Sequence, residues 1–175
     1  MIAVAEIDIY TWADIDALCA RLAASIHEPF DVVVCVLRGG AVPGVILANA
    51  LGIDLVLGIK VEQRGQLTGA GQGGGAYRAE KAAVVVPLNG VDLRGRRVLV
   101  VDDVLDSGES VRLVVDTIVE AGAAVAKVAT LQVKAYSPMR PDYYVEERTN
   151  WLFYPWMSGR ELQEMEARLE TARSR

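Results

Sequence analysis

Residues 97–110 read RVLVVDDVLDSGES. Arg97 to Asp102 is an apolar, valine-rich run, which predicts a strand buried on both faces. Two adjacent acids, Asp102 and Asp103, stand at its end, and two apolar residues follow. Then comes a turn of acidic and small residues, Asp106-Ser107-Gly108-Glu109-Ser110. From Ser110 to Ala121, Val111, Val114, Val115, Ile118 and Val119 recur at helical spacing. Gly122 lies just past the end, where a left-handed residue stops a helix. Val125 to Val133 is the next apolar run. Strand, turn, helix and strand in this order form a β-α-β unit, whose strands are parallel.

The same alternation extends outward in both directions. Thr11 and Asp14 predict the capped start of an amphipathic helix over about 12–27. Phe30 to Leu37 (FDVVVCVL) is a second buried strand. The loop from Arg38 to Gly44 leads into a helix near 45–51, and Leu55 to Val61 and Ala83 to Leu88 are further strands. Tyr143-Tyr144-Val145 is a short one. Ser158 and Glu161 form a capping box for a last helix over about 159–173. Between them, about 63–81 is rich in glycine and poor in large apolar residues, which predicts a long loop. Its G-x-G-x-x-G letters at 69–74 follow no strand and open no helix, so they are not a dinucleotide fingerprint. The whole reads as an α/β fold, a mainly parallel sheet flanked by helices, in one domain over 1–175. In such sheets, ligands bind beyond the carboxyl ends of the strands.

Composition narrows the function classes. The 175 residues are 52% hydrophobic and 23% charged, enough for a sizeable core and unlike a disordered chain. The formal net charge of −5 gives no basic surface for nucleic acid. The apolar stretch from Val42 to Ile59 is interrupted by Pro43, Asn49 and Asp54, so no membrane span is expected. Glu6 and Asp8 stand where a signal peptide would be uncharged, and the expected location is the cytoplasm. One histidine, His27, and two cysteines, Cys19 and Cys35, are too few for a zinc site or a disulfide framework. Both cysteines and His27 read as structural.

The end of the 97–102 strand carries the chemistry. A Ser-Gly-x-Ser turn at a helix N-terminus offers N–H groups, hydroxyls and the helix dipole to a phosphate. Adjacent carboxylates accept hydrogen bonds from neighbouring hydroxyls, as on a ribose. Together they describe a site for a ribose 5-phosphate group. VLVVDDVLDSGES resembles the phosphoribosyl pyrophosphate (PRPP) motif of the type I phosphoribosyltransferases. Leu37-Arg38-Gly39-Gly40 resembles that family's pyrophosphate loop, and 63–81 stands where the family has a flexible hood. Within the family, Lys134, Tyr143-Tyr144-Val145, Asn150-Trp151-Leu152 and Pro155-Trp156 follow the order of the bacterial and archaeal xanthine/guanine/hypoxanthine enzymes. The base-binding region is then about 134–157.

The resemblance implies transfer of ribose 5-phosphate from PRPP to a 6-oxopurine, with release of pyrophosphate. It implies roles as well. Asp106 is the catalytic group at purine N7. Asp102 and Asp103 hold the ribose and, directly or through water, Mg2+ carried mainly by PRPP. Asp106, Ser107, Gly108, Glu109 and Ser110 hold the 5-phosphate, and Leu37, Arg38, Gly39 and Gly40 the pyrophosphate. Lys134 meets the 6-oxo group, Trp151 stacks on the base, and the Leu152 backbone reads its edge. A homodimer or homotetramer is the family's common assembly. Met157 stands where bacterial xanthine-guanine enzymes often carry an acid, so guanine, xanthine and hypoxanthine stay open. A regulator that binds PRPP without catalysis, or an enzyme with a non-purine acceptor, is the alternative.

Overall fold

The computed structural model describes residues 6–64, 80–88 and 90–173. The main sheet contains β2 (Val32–Leu37), β3 (Leu55–Arg64), β4 (Glu80–Val86), β5 (Arg97–Leu105), β6 (Val125–Lys134) and β7 (Tyr143–Arg148). Their spatial order is β4-β3-β2-β5-β6-β7, and every pair is parallel except β3 with β4. The helices are α1 (Trp12–Ser25), α2 (Ala41–Leu51), α3 (Glu109–Glu120) and α4 (Gly159–Arg173). A second, two-stranded sheet pairs β1 (Ile7–Ile9) with β8 (Trp151–Phe153).

The valine-rich strands are buried on both sides because helices cover both faces. Alternate residues belong to different cores, following the two-residue period of a strand. Val33, Cys35, Leu99 and Val101 pack under Ile15, Leu18 and Leu22 of α1 and Leu47 of α2. Val32, Val34, Val98 and Val100 pack under Val111, Val114 and Ile118 of α3. The chain leaves β2 toward β3 on one side and returns to β5 on the other. The carboxyl ends of β2 and β5 therefore flank the crevice where strand order reverses, the place such sheets reserve for ligands.

Several element boundaries differ from the sequence expectation. Helix α2 begins at Ala41 rather than near residue 45, because Pro43 in a first turn gives up an N–H that has no helical partner there. Gly44 lets α2 lie against β2, since a Cβ there would sit 2.3 Å from Cys35 Sγ. Strand β5 continues to Leu105, because β6 beside it keeps pairing, Asp102 with Thr130 and Leu105 with Val133. The two acids are thus in the strand and not beyond it. Residues 63–64 and 80–81, read as loop, are the ends of the antiparallel strands β3 and β4. The rest of the expected hood, 65–79, lies outside the described residues. Helix α1 starts as expected, with Asp14 N donating to Thr11 Oγ1 at 3.3 Å and Thr11 N to Asp14 Oδ2 at 2.8 Å. Strands β1 and β8, three residues each, carry no periodicity that a sequence reading could use.

Candidate active site

The acidic pair sits at the carboxyl end of β5, between two hollows. Strand alternation sends the carboxylates to different sides. Asp103 lines a cleft of about 320 Å³ with Arg38, Gly39, Trp156, Met157 and Glu161. Asp102 lines a smaller hollow of about 110 Å³ with Asp106, Ser107, Gly108 and Ser110. Backbone donors hold both, Asp103 N on Asp102 Oδ1 at 3.0 Å and Val104 N on Asp103 Oδ1 at 2.7 Å. Burial pushes the Asp102 carboxyl up, and the neighbouring charge of Asp103 adds to it. Burial likewise raises Asp103, against the backbone N–H groups and the Trp156 side chain that lower it. Burial disfavours the charged form of both carboxyls, a cost that a cation or hydroxyl donors meeting the pair would relieve.

The turn after β5 leads directly into the N-terminus of α3. Gly108 caps α3 in the left-handed region, φ 79°, and, having no side chain, offers no capping acceptor to the N–H groups that follow. Ser107 Oγ accepts weakly from Glu109 N at 3.4 Å. Asp106, Ser107 and Glu109 are exposed, Gly108 is buried and Ser110 is half-buried. Glu109, expected at the phosphate, is not among the residues that line the hollow.

The loop from Leu37 to Gly40 faces the acid pair from β2, and its Leu37–Arg38 peptide is cis. A Cβ on Gly39 would lie 2.3 Å from Asp103 Oδ2, and one on Gly40 would lie 2.1 Å from the Val101 carbonyl oxygen. The two glycines are therefore required for loop and acids to touch, which a mere turn would not need. Leu37 turns its side chain toward Gly58, leaving only its backbone to the loop. Arg38 is exposed and pairs with Glu161 of α4 at 3.3 Å.

Lys134 ends β6 and is buried, with its ammonium donating to the Asn150 carbonyl. Burial lowers its pKa, while the charges of Asp106 and Asp8 oppose that shift. It is not a solvated lysine at a strand end. Trp151 and Leu152 pair with Ile7 and Asp8 in the small sheet, with Trp151 half-buried and Leu152 buried. Trp156 stacks on Tyr154 at 4.7 Å and 8°, and Tyr154 stacks on Tyr10 at 5.6 Å. Trp156 thus belongs both to an aromatic stack and to the wall around Asp103.

Two residues near the site, Tyr136 and Glu161, were given no site role from sequence, and Trp156 was placed only in the base-binding region. Tyr136, on the loop after β6, lies near Asp106, and burial together with that neighbouring charge raises its phenol to about 12. Trp156 faces Asp103, and Glu161 faces Arg38. Only Glu161 had a local signal, its capping box with Ser158, and that signal speaks of helix geometry alone. Cys19 and Cys35 are buried, and burial raises each thiol to about 11, so neither is poised as a nucleophile. A wider groove of about 700 Å³ beside Asp8, Tyr10, Arg148 and Asn150 holds none of the expected site residues. Its charges are already satisfied, as in Asn150 Nδ2 to Asp8 at 3.0 Å and Arg148 to Glu146 at 2.6 Å.

Residues 8–157 match the model of the phosphoribosyl transferase domain family. A xanthine-guanine phosphoribosyltransferase of Gluconobacter oxydans is 30% identical over 151 residues, covering 83% of this chain and 82% of that protein. Among solved structures, a purine phosphoribosyltransferase from Pyrococcus horikoshii superposes with TM-score 0.74 at 33% identity, over 87% of this chain and 95% of the other. The xanthine-guanine-hypoxanthine enzyme of Helicobacter pylori superposes with TM-score 0.69 at 18% identity, over 93% of this chain and 99% of the other, and speaks for the fold alone. By the family match and the shared fold, this chain belongs to the phosphoribosyl transferase domain family.

Proposed function

We propose that the chain transfers ribose 5-phosphate from PRPP to a 6-oxopurine and releases pyrophosphate. The observation that carries the reading is the contact of Gly39 and Gly40 with the acidic strand end, beside an uncapped helix N-terminus. A glycine loop on one side of a carboxylate pair and a helix N-terminus on the other support this reading, since a ribose phosphorylated at both ends needs an anion site on each side. The purine relatives from Gluconobacter oxydans and Pyrococcus horikoshii support the acceptor class.

Each step then falls to named groups. The N–H groups of the 107–110 turn hold the 5-phosphate. Asp102 and Asp103 accept from the ribose hydroxyls, and their charge favours the positive ring that forms as the C1–oxygen bond breaks. Arg38 and the loop N–H groups take the charge of the departing diphosphate. N9 of the base bonds to C1, and the proton on its imidazole ring goes to Asp106. Lys134 donates to the 6-oxo group, Trp151 stacks on the ring, and the Leu152 backbone meets the base edge. The oxygen-only Asp102–Asp103 pair fits Mg2+, which prefers few carboxylates and several other oxygens. When bound, Mg2+ neutralises diphosphate charge. The reading puts a homo-oligomeric enzyme in the cytoplasm, and among the described residues no helix is long and apolar enough to cross a membrane.

The test is nucleotide formation from PRPP and Mg2+ with guanine, xanthine, hypoxanthine, adenine and uracil in parallel. Turnover is expected with one or more 6-oxopurines, falling by about 10²-fold or more in Asp106→Asn. PRPP binding without turnover of any base would move the non-catalytic regulator to first place.

A further inference from the structure

We propose that Glu161 is a positioning residue for Arg38, holding its guanidinium over the diphosphate cleft and so setting the affinity for PRPP. The inference rests on the role given to Arg38 above. Arg38 Nη2 lies 3.3 Å from Glu161 Oε1. The Arg38 side chain is 84% exposed, so the pair adds little to fold stability. Its place matters more than its strength, because both residues line the cleft with Gly39, Asp103, Trp156 and Met157.

The two partners differ in how firmly they are held. Glu161 Oε2 accepts from Ser158 N at 2.8 Å and from Ser158 Oγ at 2.8 Å. The capping box thus anchors one carboxylate oxygen and leaves the other facing the cleft. Arg38 is a long side chain with many rotamers, and Glu161 is the fixed group it meets. A guanidinium has five N–H donors. The pair engages the Nη2 end, which leaves Nε and Nη1 donors to a diphosphate. Ordering a rotamer-rich side chain before the ligand arrives removes that cost from binding.

Glu161→Gln tests this, since glutamine also serves in a capping box and keeps α4 capped. With PRPP varied at saturating purine, KM for PRPP should rise about threefold to tenfold. The kcat should fall by less than KM rises, since the guanidinium is still present to meet the departing diphosphate and what is lost is its ordering before PRPP arrives. KM for the purine should not move. On an Arg38→Ala background, Glu161→Gln should have no further effect, because the two act as one unit. An unchanged or lowered KM for PRPP overturns the proposal, as does an equal rise on the Arg38→Ala background. A parallel rise in purine KM, reporting a loosened helix, overturns it too. If the unaltered protein turns over no purine, the proposed activity fails by itself. Calorimetry of inorganic diphosphate with the same four proteins then decides Glu161 independently.

Discussion

At Gly39 there is no room for a side chain. The 2.3 Å approach of its absent Cβ to Asp103 Oδ2 means that alanine must push the loop or the carboxylate aside. Gly39→Ala should keep its far-UV circular dichroism and lose about 10²-fold in kcat/KM for PRPP, the order that misplacement by an ångström costs. Tyr136 is the opposite case, a residue whose hydroxyl matters and whose ring does not. Tyr136→Phe removes the hydroxyl near the Asp106 charge and should lower kcat roughly tenfold, the order that loss of a polar neighbour of a charged group costs, with KM for PRPP unchanged. Cys19 and Cys35 should be silent in the native protein. An aromatic disulfide reagent at pH 8 should titrate neither thiol until denaturant is added, because both are buried and raised to about 11.

Strand β5 has two jobs along its length. Its first half is core, with Leu99 at 0% exposure between α1 and α2 on one side and the strands beside it. Leu99→Ala should destabilise by about 2–5 kcal/mol in urea unfolding, from lost transfer and an unfilled cavity. Its second half carries Asp102 and Asp103 while still paired to β6. A paired strand is stiffer than a loop, so the carboxylates are held on a rigid element. The loop from Ala135 to Asp142 continues this from β6. A Cβ on Gly108 would lie 2.8 Å from Met139 Cβ, so this loop presses on the phosphate turn while Tyr136 reaches Asp106.

Across the whole molecule, Glu28 joins elements that are far apart in the chain. It accepts from Lys127 Nζ of β6 at 2.6 Å and from the Tyr143 hydroxyl of β7, and it pairs with Arg97 of β5. These partners, Lys127 first, hold its carboxyl below the ordinary 4.5. A group lowered on folding contributes stability above its unfolded pKa and loses it as pH falls through the lower folded value. Glu28→Gln should therefore melt earlier than the native protein at pH 7. The gap should close as pH drops below 4.5, and thermal melts across pH 3–7 would show it. A gap that stayed constant with pH would mean that packing, not charge, links these strands.

The α/β layering, the acid pair, the phosphate turn and the glycine loop were legible in the sequence because each is a local pattern. Valine runs, a small-residue turn and a glycine doublet report their own backbone needs. Strands β1 and β8 were not legible, since three residues have no periodicity and their pairing joins positions more than 140 apart, Ile7 with Trp151. For the same reason the sequence shows Glu161 only as a capping residue and gives no signal for Tyr136. The sequence by itself determined which chemistry the strand end could hold, since residue type and spacing set donors, acceptors and charge. Only the tertiary structure decided what surrounds that chemistry: which carboxylate faces which hollow, that Lys134 is buried, and that α4 brings a carboxylate to Arg38. Those contacts depend on how sheet and helices pack, and packing brings together residues whose separation in the chain carries no trace of it.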